Sequence, residues 1–490
     1  MNFSDFSFWW VLIIYSGIFF SIRYLGKLLN LWQNLFDTVG LVAMSLLLFL
    51  NASPTSFAIF ICEVVFNYLM VFWMLRLRQA GQEQLARWVA TCLIVIDVAI
   101  LAYFKYLIFF VEDVIGPLIG GMPADWRETF PIPVKVSIPP GVSFYTFQMI
   151  AFVVDSLAKR RKQPIRFLDY LNFIAFFPQI VAGPIERRAD LLPQIEAFRF
   201  KFTVENIEEG LRWISLGAFM KFVLADNIAA YIDLNKMGNA WMIWFQAFLF
   251  TLRIYFDFGG YSFIGLGIAR ILGVKLTINF LAPYTSQSIN EFWRRWHISL
   301  STWFRDYVFL PLMGKNKQWA AFYLFITFTL SGFWHGAAWN FIIWGSYHGA
   351  LLLILRYFGR PFNALIGQYI PRPQIISWGL TFISVILGCL FFMETNSQRL
   401  FAKLHTLILP GSYSFSNLGA FWGSYEFNDA LLLSIILSLA VFVLLMEHIA
   451  VWQQKFEYEI LLSRWLSPVL LGLTILLAAN TPSEFIYFEF

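Results

Sequence analysis

The sequence predicts an all-α polytopic integral membrane protein. Three observations predict it: 59 % of the 490 residues are hydrophobic, only 13 % are charged, and the apolar residues form continuous runs. A soluble chain averages about 25 % charged residues, and the mean hydropathy of +0.65 points the same way. With 56 Phe and 20 Trp, the apolar area exceeds what soluble cores of ordinary size could hide. The unbroken runs exclude a transmembrane β-barrel, whose strands alternate.

A helix needs about 20 apolar residues to cross a hydrocarbon core about 30 Å thick. Segments 8–22, 38–50, 55–75, 88–111, 138–157, 206–232, 240–256, 318–334, 337–355, 375–393, 430–451 and 465–480 meet or approach this length. Segments 167–185 and 258–283 read as re-entrant or partial spans. Roughly 10–12 crossings are expected. No internal repeat, low-complexity stretch or soluble linker interrupts them, so residues 1–490 read as a single membrane domain.

Loop charge sets the expected orientation. Arg23 and Lys27, then Arg76, Arg78 and Arg87, then Lys159, Arg160, Arg161, Lys162 and Arg166 fall in alternate early loops. The intervening segments 1–8, 51–54 and 112–137 carry only Arg127 and Lys135. Basic loops stay in the cytoplasm, which places the N-terminus outside. Residues 1–8 hold no Lys or Arg and no small-residue cleavage site follows, so the start does not read as a cleaved signal.

Several chemistries are excluded. A dispersed net charge of +5 does not make the basic face of a nucleic-acid binder. Cys62, Cys92 and Cys389 lie far apart in apolar runs, giving neither a disulfide framework nor a metal site. The five histidines, His297, His335, His348, His405 and His448, form no HExxH motif, and no metal is expected. There is no GxSxG elbow and no His followed five residues later by Asp.

His335 has the best setting for chemistry. No Asp, Glu, Lys or Arg occurs between Lys317 and Arg356. As one helix that stretch would run about 57 Å, nearly twice the hydrocarbon core. It must break, and Ser331, Gly332 and Gly336 mark the place. His335 then lies at the bend, flanked by Trp334 and Trp339, with Asn340 nearby. A polar side chain in membrane sequence faces protein or a wet cavity. The residue reads either as a hydrogen-bonded structural imidazole or as a general base. His348 reads as structural.

The second constellation is NEFWRRWHISLSTWFRDYVFLPL, residues 290–312. Trp293, Trp296, Leu300, Trp303, Tyr307 and Leu310 recur at helical spacing and form one stripe, with Arg294, Arg295, Ser299, Ser301, Arg305 and Asp306 away from it. The pattern predicts an amphipathic helix in the headgroup plane. Arg294 and Arg295 either bind an anionic donor such as a CoA phosphate or anchor lipid phosphates. His297 sits on the edge of the stripe. Glu63, Asp97, Lys105 and Asp155 fall inside predicted spans, as parts of a translocation path or as partners for other helices.

FWRRWHISLSTWFRDYVFLPL (292–312) followed by SGFWHGAAWNFIIWGSYHG (331–349) resembles the signature of the membrane-bound O-acyltransferase (MBOAT) family, closest to its bacterial alginate O-acetyltransferase-like branch. IPPGVSFYTFQ (138–148), FIAFFPQIVAGPIERRADLLPQI (173–195), GAFMKFVLADNIA (217–229) and FIYFEF (485–490) extend the resemblance, which is densest over 138–350. It implies a multi-helix fold around an embedded chamber, His335 as principal catalytic histidine and His297 as the second. It also implies a donor substrate, acetyl-CoA or another acyl thioester, with no permanently bound cofactor. The implied setting is the bacterial inner membrane, with periplasmic or surface acetyltransferase partners and an exopolysaccharide as final acceptor. On chemical grounds the oxyanion donors would come from Asn340, His297 or backbone N–H groups. The alternatives are a transporter or flippase of an acylated or saccharide carrier, and D-alanyl transfer to teichoic acid.

Overall fold

The computed structural model describes residues 6–29, 33–123, 126, 139, 141–158, 164–180, 183–233, 238–315, 317–369, 372–414, 416, 426–479 and 483–486. Among them every regular element is helical, as the apolar runs predict. Among the described residues, six helices are long and apolar enough to span a membrane: Ser7–Leu28, Pro54–Gln79, Glu83–Leu118, Trp339–Gly359, Pro373–Met393 and Phe427–Trp452. Three shorter apolar helices are Phe36–Ala52, Val142–Ala158 and Leu466–Leu477. The basic run at 159–162, and Arg127 and Lys135, lie outside the described residues.

The chain forms two compact units, residues 1–208 with 268–277 and residues 209–267 with 278–490. The first contains α1 (Phe6–Leu28), α2 (Gln33–Ala52), α3 (Pro54–Gln79), α4 (Glu83–Phe109), α5 (Val142–Ala158), α6 (Phe167–Ala175) and α7 (Arg188–Glu196). Its buried polar groups meet one another across helices. Asn67 donates to Asp97 at 2.8 Å and accepts from the Tyr170 hydroxyl. Asp97 is thereby satisfied by an amide, which is cheaper inside apolar sequence than an isolated carboxylate. Glu186, from the AGPIE stretch, accepts from the Thr277 backbone N–H at 2.6 Å.

Helices α8 (Val204–Ala218) and α9 (Ala240–Ile271) carry residues of both units. The sequence suggests an interruption of α9 near Asp257, yet the helix runs through. Lys221 meets Asp257 and Asp226 at 2.8 Å each, all three buried, so the Asp257 carboxylate is paired in place within the helix. The 483–486 segment closes this cluster: Ser483 donates to Asp226 at 2.6 Å and the Ile486 N–H to Asp257 at 2.8 Å.

The rest of the second unit comprises α10 (Ile289–Arg295), α11 (Ile298–Phe304), α12 (Ala320–His335), α13 (Trp339–Tyr369), α14 (Pro373–Met393), α15 (Ser397–Ile408), α16 (Phe427–Trp452) and α17 (Leu466–Leu477). The apolar stretch between Lys317 and Arg356 breaks after His335, where the length argument requires it. Helices α12 and α13 then pack at close range. A Cβ at Gly332 would run into the Phe341 carbonyl and the Gly345 Cα, and one at Gly345 into the Phe328 carbonyl. Small residues let backbones approach in lipid, where dispersion replaces the hydrophobic drive.

Candidate active site

His335 closes α12, and its side chain is brought beside α13 by the Gly332–Gly345 crossing. Trp344 and His348, four apart on α13, share a helix face. The Trp344 ring stands 5.0 Å from each imidazole and meets both edge to face. Phe392 of α14 packs on His335 at 5.2 Å. Both imidazoles are buried and line a cavity of about 20 Å³ completed by Ile254, Tyr284, Phe292, Trp296, Trp344, Val385, Cys389 and Phe392. That is room for about one water-sized group. No Asp, Glu, Lys or Arg lines it. His348 sits where Gly388 leaves space, since a Cβ there would press on Nε2; among the described residues its Nδ1 has no hydrogen-bond partner.

His297 lies outside this chamber. Its ring is 4.7 Å from Phe258, stacks on Phe280 at 6.3 Å and lies 6.2 Å from Trp334. Trp334 in turn is 4.9 Å from His335, so an indole relates the two histidines of the sequence motifs. His297 has φ 41° and ψ 56°, a left-handed conformation costing a non-glycine residue of order 1–3 kcal/mol. Hydrogen bonds on both sides hold it there. The Ile298 N–H donates to the Asn279 carbonyl at 2.9 Å, and the Leu281 N–H to the Arg295 carbonyl at 3.0 Å. The Ser299 hydroxyl and N–H both reach Asn279 Oδ1, at 2.6 and 3.3 Å. Burial pushes the His297 imidazole down to about 3, so it is neutral at physiological pH.

This turn corrects the expectation of one helix over 290–312. Helix α10 ends at Arg295, α11 starts at Ile298, and a π-helical turn follows over Arg305–Phe309. Of the expected stripe, Trp296, Leu300 and Trp303 are buried in protein, Trp293 and Tyr307 are half-buried, and Leu310 is exposed. Ser299, placed away from the stripe by spacing, is buried on Asn279.

The two arginines part company. Arg294 is exposed and lines a second cavity of about 630 Å³, with Arg305, Ser301 and Thr302 among its polar groups and Phe304, Leu324 and Phe328 among its apolar ones. Arg295 instead donates to Glu291, Glu457 and the Leu281 carbonyl, each at 3.0 Å. It braces the loop. Trp293 separates the two spaces: it lines the larger cavity while its ring meets His348 at 5.1 Å and Trp344 at 5.7 Å. Asn340 lines neither cavity. Its amide hydrogens meet the Phe391 and Phe392 carbonyls at 3.1 and 3.3 Å, tying the start of α13 to the end of α14.

The sequence profile described as MBOAT, membrane-bound O-acyltransferase family, matches residues 46–396, well over half the chain. The chain belongs to this family. It is 35 % identical to the probable alginate O-acetylase of Pseudomonas aeruginosa over 368 residues, 72 % of this chain and 66 % of that protein. A peptidoglycan O-acetyltransferase of Helicobacter pylori is 31 % identical over 406 residues, 76 % of this chain and 74 % of the relative. A teichoic acid D-alanyltransferase of Bacillus subtilis is 32 % identical over 236 residues, 44 % of this chain and 59 % of the relative. The matched stretch covers 66 % and 64 % of the alginate proteins of P. aeruginosa and Pseudomonas syringae, just under two thirds of their length.

Both cavities and both motif histidines of this MBOAT chain lie within the matched residues. Sequence reasoning set His348 aside; its spacing of four from Trp344 was the available signal. Asn279 carried no local signal, because its role depends on a loop returning to meet 295–299.

Proposed function

We propose that the protein moves an acetyl group from a cytoplasmic thioester, acetyl-CoA or another acyl thioester, toward an extracytoplasmic polysaccharide, with His335 as general base. The observation that carries this reading is His335 on the wall of a small, uncharged chamber shared with a second imidazole. An alcohol is a poor nucleophile until a base takes its proton. As the hydroxyl oxygen attacks the thioester carbonyl, its proton passes to His335. The new C–O bond forms, the C–S bond breaks, and the sulfur leaves with the proton. His348 offers an N–H to the developing oxyanion. His297 is a neutral positioning residue that acts through Trp334.

The larger cavity suits the donor. No carboxylate pairs with Arg294 among the described residues, and its guanidinium is available for a phosphate. Acetyl is favoured over D-alanyl because the chamber wall carries no carboxylate for an ammonium group, and an unpaired buried charge is costly. The relatives named for alginate and peptidoglycan O-acetylation support a polysaccharide acceptor, alginate or a similar exopolysaccharide. Periplasmic or surface acetyltransferases would complete delivery. Helical spans suit the inner membrane, and loop charge supports an N-terminus outside.

The test is labelled acetyl transfer by His335→Gln protein in nanodiscs, with donor binding measured in parallel. Lost transfer with retained donor binding is expected. Retained transfer would overturn the base assignment, and donor moved without acyl exchange would favour a carrier. For orientation, a cysteine at Asn51 should react with an impermeant thiol reagent from outside, and one at 160–162 only after permeabilisation; the reverse pattern would invert the topology.

A further inference from the structure

A buried polar chain that acyl transfer does not use runs behind the chamber wall. Glu447 of α16, Tyr255 of α9 and Tyr458 are each fully buried. The Tyr255 hydroxyl lies 2.6 Å from Glu447 Oε1 and 3.1 Å from the Tyr458 hydroxyl. The Tyr458 hydroxyl lies 3.0 Å from the Phe280 carbonyl oxygen and accepts the Ala282 N–H at 2.9 Å. Glu447 Oε2 has no hydrogen-bond partner among the described residues. A second carboxylate, Glu457, held by Arg295 at 3.0 Å, lies close enough to act on Glu447 by its charge.

The available protons decide how this chain is wired. A carbonyl only accepts, so Tyr458 must spend its hydrogen on Phe280. Were Glu447 ionised, Tyr255 would spend its hydrogen on the carboxylate. The 3.1 Å contact between the two hydroxyl oxygens would then hold no hydrogen at all. A proton on Glu447 removes the conflict: Glu447 donates to Tyr255, Tyr255 to Tyr458, and Tyr458 to the Phe280 carbonyl. Every contact becomes a hydrogen bond, and the unpartnered Oε2 becomes a neutral carbonyl oxygen rather than half of a buried charge.

The chain ends on residues 280–282, where Ala282 is itself left-handed at φ 46°. The strip from 279 to 282 also holds His297, through the Asn279 and Leu281 bonds to Ile298 and Arg295. We propose that Glu447 is a proton-bearing positioning residue: a neutral carboxylic acid that, through Tyr255 and Tyr458, fixes this strip and with it the turn at His297. Its effect on turnover rests on the acyl-transfer reading; its proton does not.

Two measurements on the full chain in nanodiscs test this. Infrared difference spectra of wild type against Glu447→Gln at about pH 8, where an ordinary Glu is ionised, should show the carbonyl stretch of a protonated carboxyl only in wild type. Its absence overturns the proposal whether or not the protein transfers acetyl. In kinetics, Glu447→Gln keeps a donor for Tyr255 and should leave kcat close to wild type. Glu447→Ala and Tyr458→Phe should each lower kcat about tenfold or more, the scale of a misplaced group, with donor KM unchanged. A Gln variant as impaired as the Ala variant would mean that Glu447 must exchange its proton, and would overturn the positioning role. Tyr458→Phe carries the test if Glu447→Ala does not fold. A wild-type protein with the infrared band but no acetyl transfer would sink the acyl-transfer reading alone.

Discussion

The two cavities of the second unit differ in kind, with Trp293 lining the outer one and packing on Trp344 and His348 of the inner one. The inner one, about 20 Å³, holds two imidazoles and no charged group. The outer one, about 630 Å³, carries Arg294 and Arg305 beside hydroxyls and phenyl rings. A space with few polar groups strengthens every dipole aimed at a reacting atom, and it would heavily penalise an unpaired charge. An open space tolerates charges because water still reaches them. On the proposed reading, bond exchange is centred on His335 at the wall of the inner cavity, which must widen beyond its water-sized volume to admit a thioester carbonyl. An anionic donor is recognised in the outer one.

Substitutions on either side of Trp293 test that division. The largest effect is expected for His335→Gln: loss of a general base lowers kcat by about 10²–10⁴-fold, with donor affinity retained. His348→Phe keeps the ring contacts with Trp293 and Trp344 but removes the N–H. A fall in kcat of about 10²-fold is expected for a lost oxyanion donor, and an unchanged kcat would return His348 to a packing role. On the outer side, Arg294→Ala should raise donor KM about ten- to hundredfold, from a charge-assisted contact worth about 1.5–3 kcal/mol, with kcat little changed. A change confined to kcat would erase the distinction between the cavities. Arg305 is half committed to Asp306 at 2.6 Å on an exposed surface, so Arg305→Ala should shift KM by only about threefold or less.

A pH measurement sharpens the role of His297. Its folded value of about 3 lies below the unfolded value of about 6.5, so the unfolded chain binds more protons between them. Stability from this site is complete above the unfolded value and is lost as pH falls toward 3. His297→Asn should therefore flatten the acid-side fall of melting temperature, while the wild-type kcat profile should show no inflection from His297 near neutrality. A His297-dependent inflection near pH 6.5 would mean that the ring is exposed during turnover.

Patterns that repeat along one element were legible without the fold. The apolar runs, the break at His335 and the apolar side shared by Trp296, Leu300 and Trp303 follow from length and period, which are local properties. Which neighbour each side chain meets is a different matter. Spacing could not separate Arg294 from Arg295, because adjacent helical residues point about 100° apart and only the surroundings name a cavity of about 630 Å³ for one and Glu457 for the other. Nor could it find the turn at His297, which Asn279 imposes from a separate segment. Glu447, inside the 430–451 run, carried no signal in the sequence; its meaning depends on two tyrosines from elsewhere in the chain and on the hydrogens they can supply. Composition and periodicity determined that this chain enters a membrane as helices and that the stretch between Lys317 and Arg356 cannot be a single one. The tertiary structure decided which polar groups share a space, because hydrogen bonds and desolvation act between residues distant in sequence, and a single strand of sequence does not carry those distances.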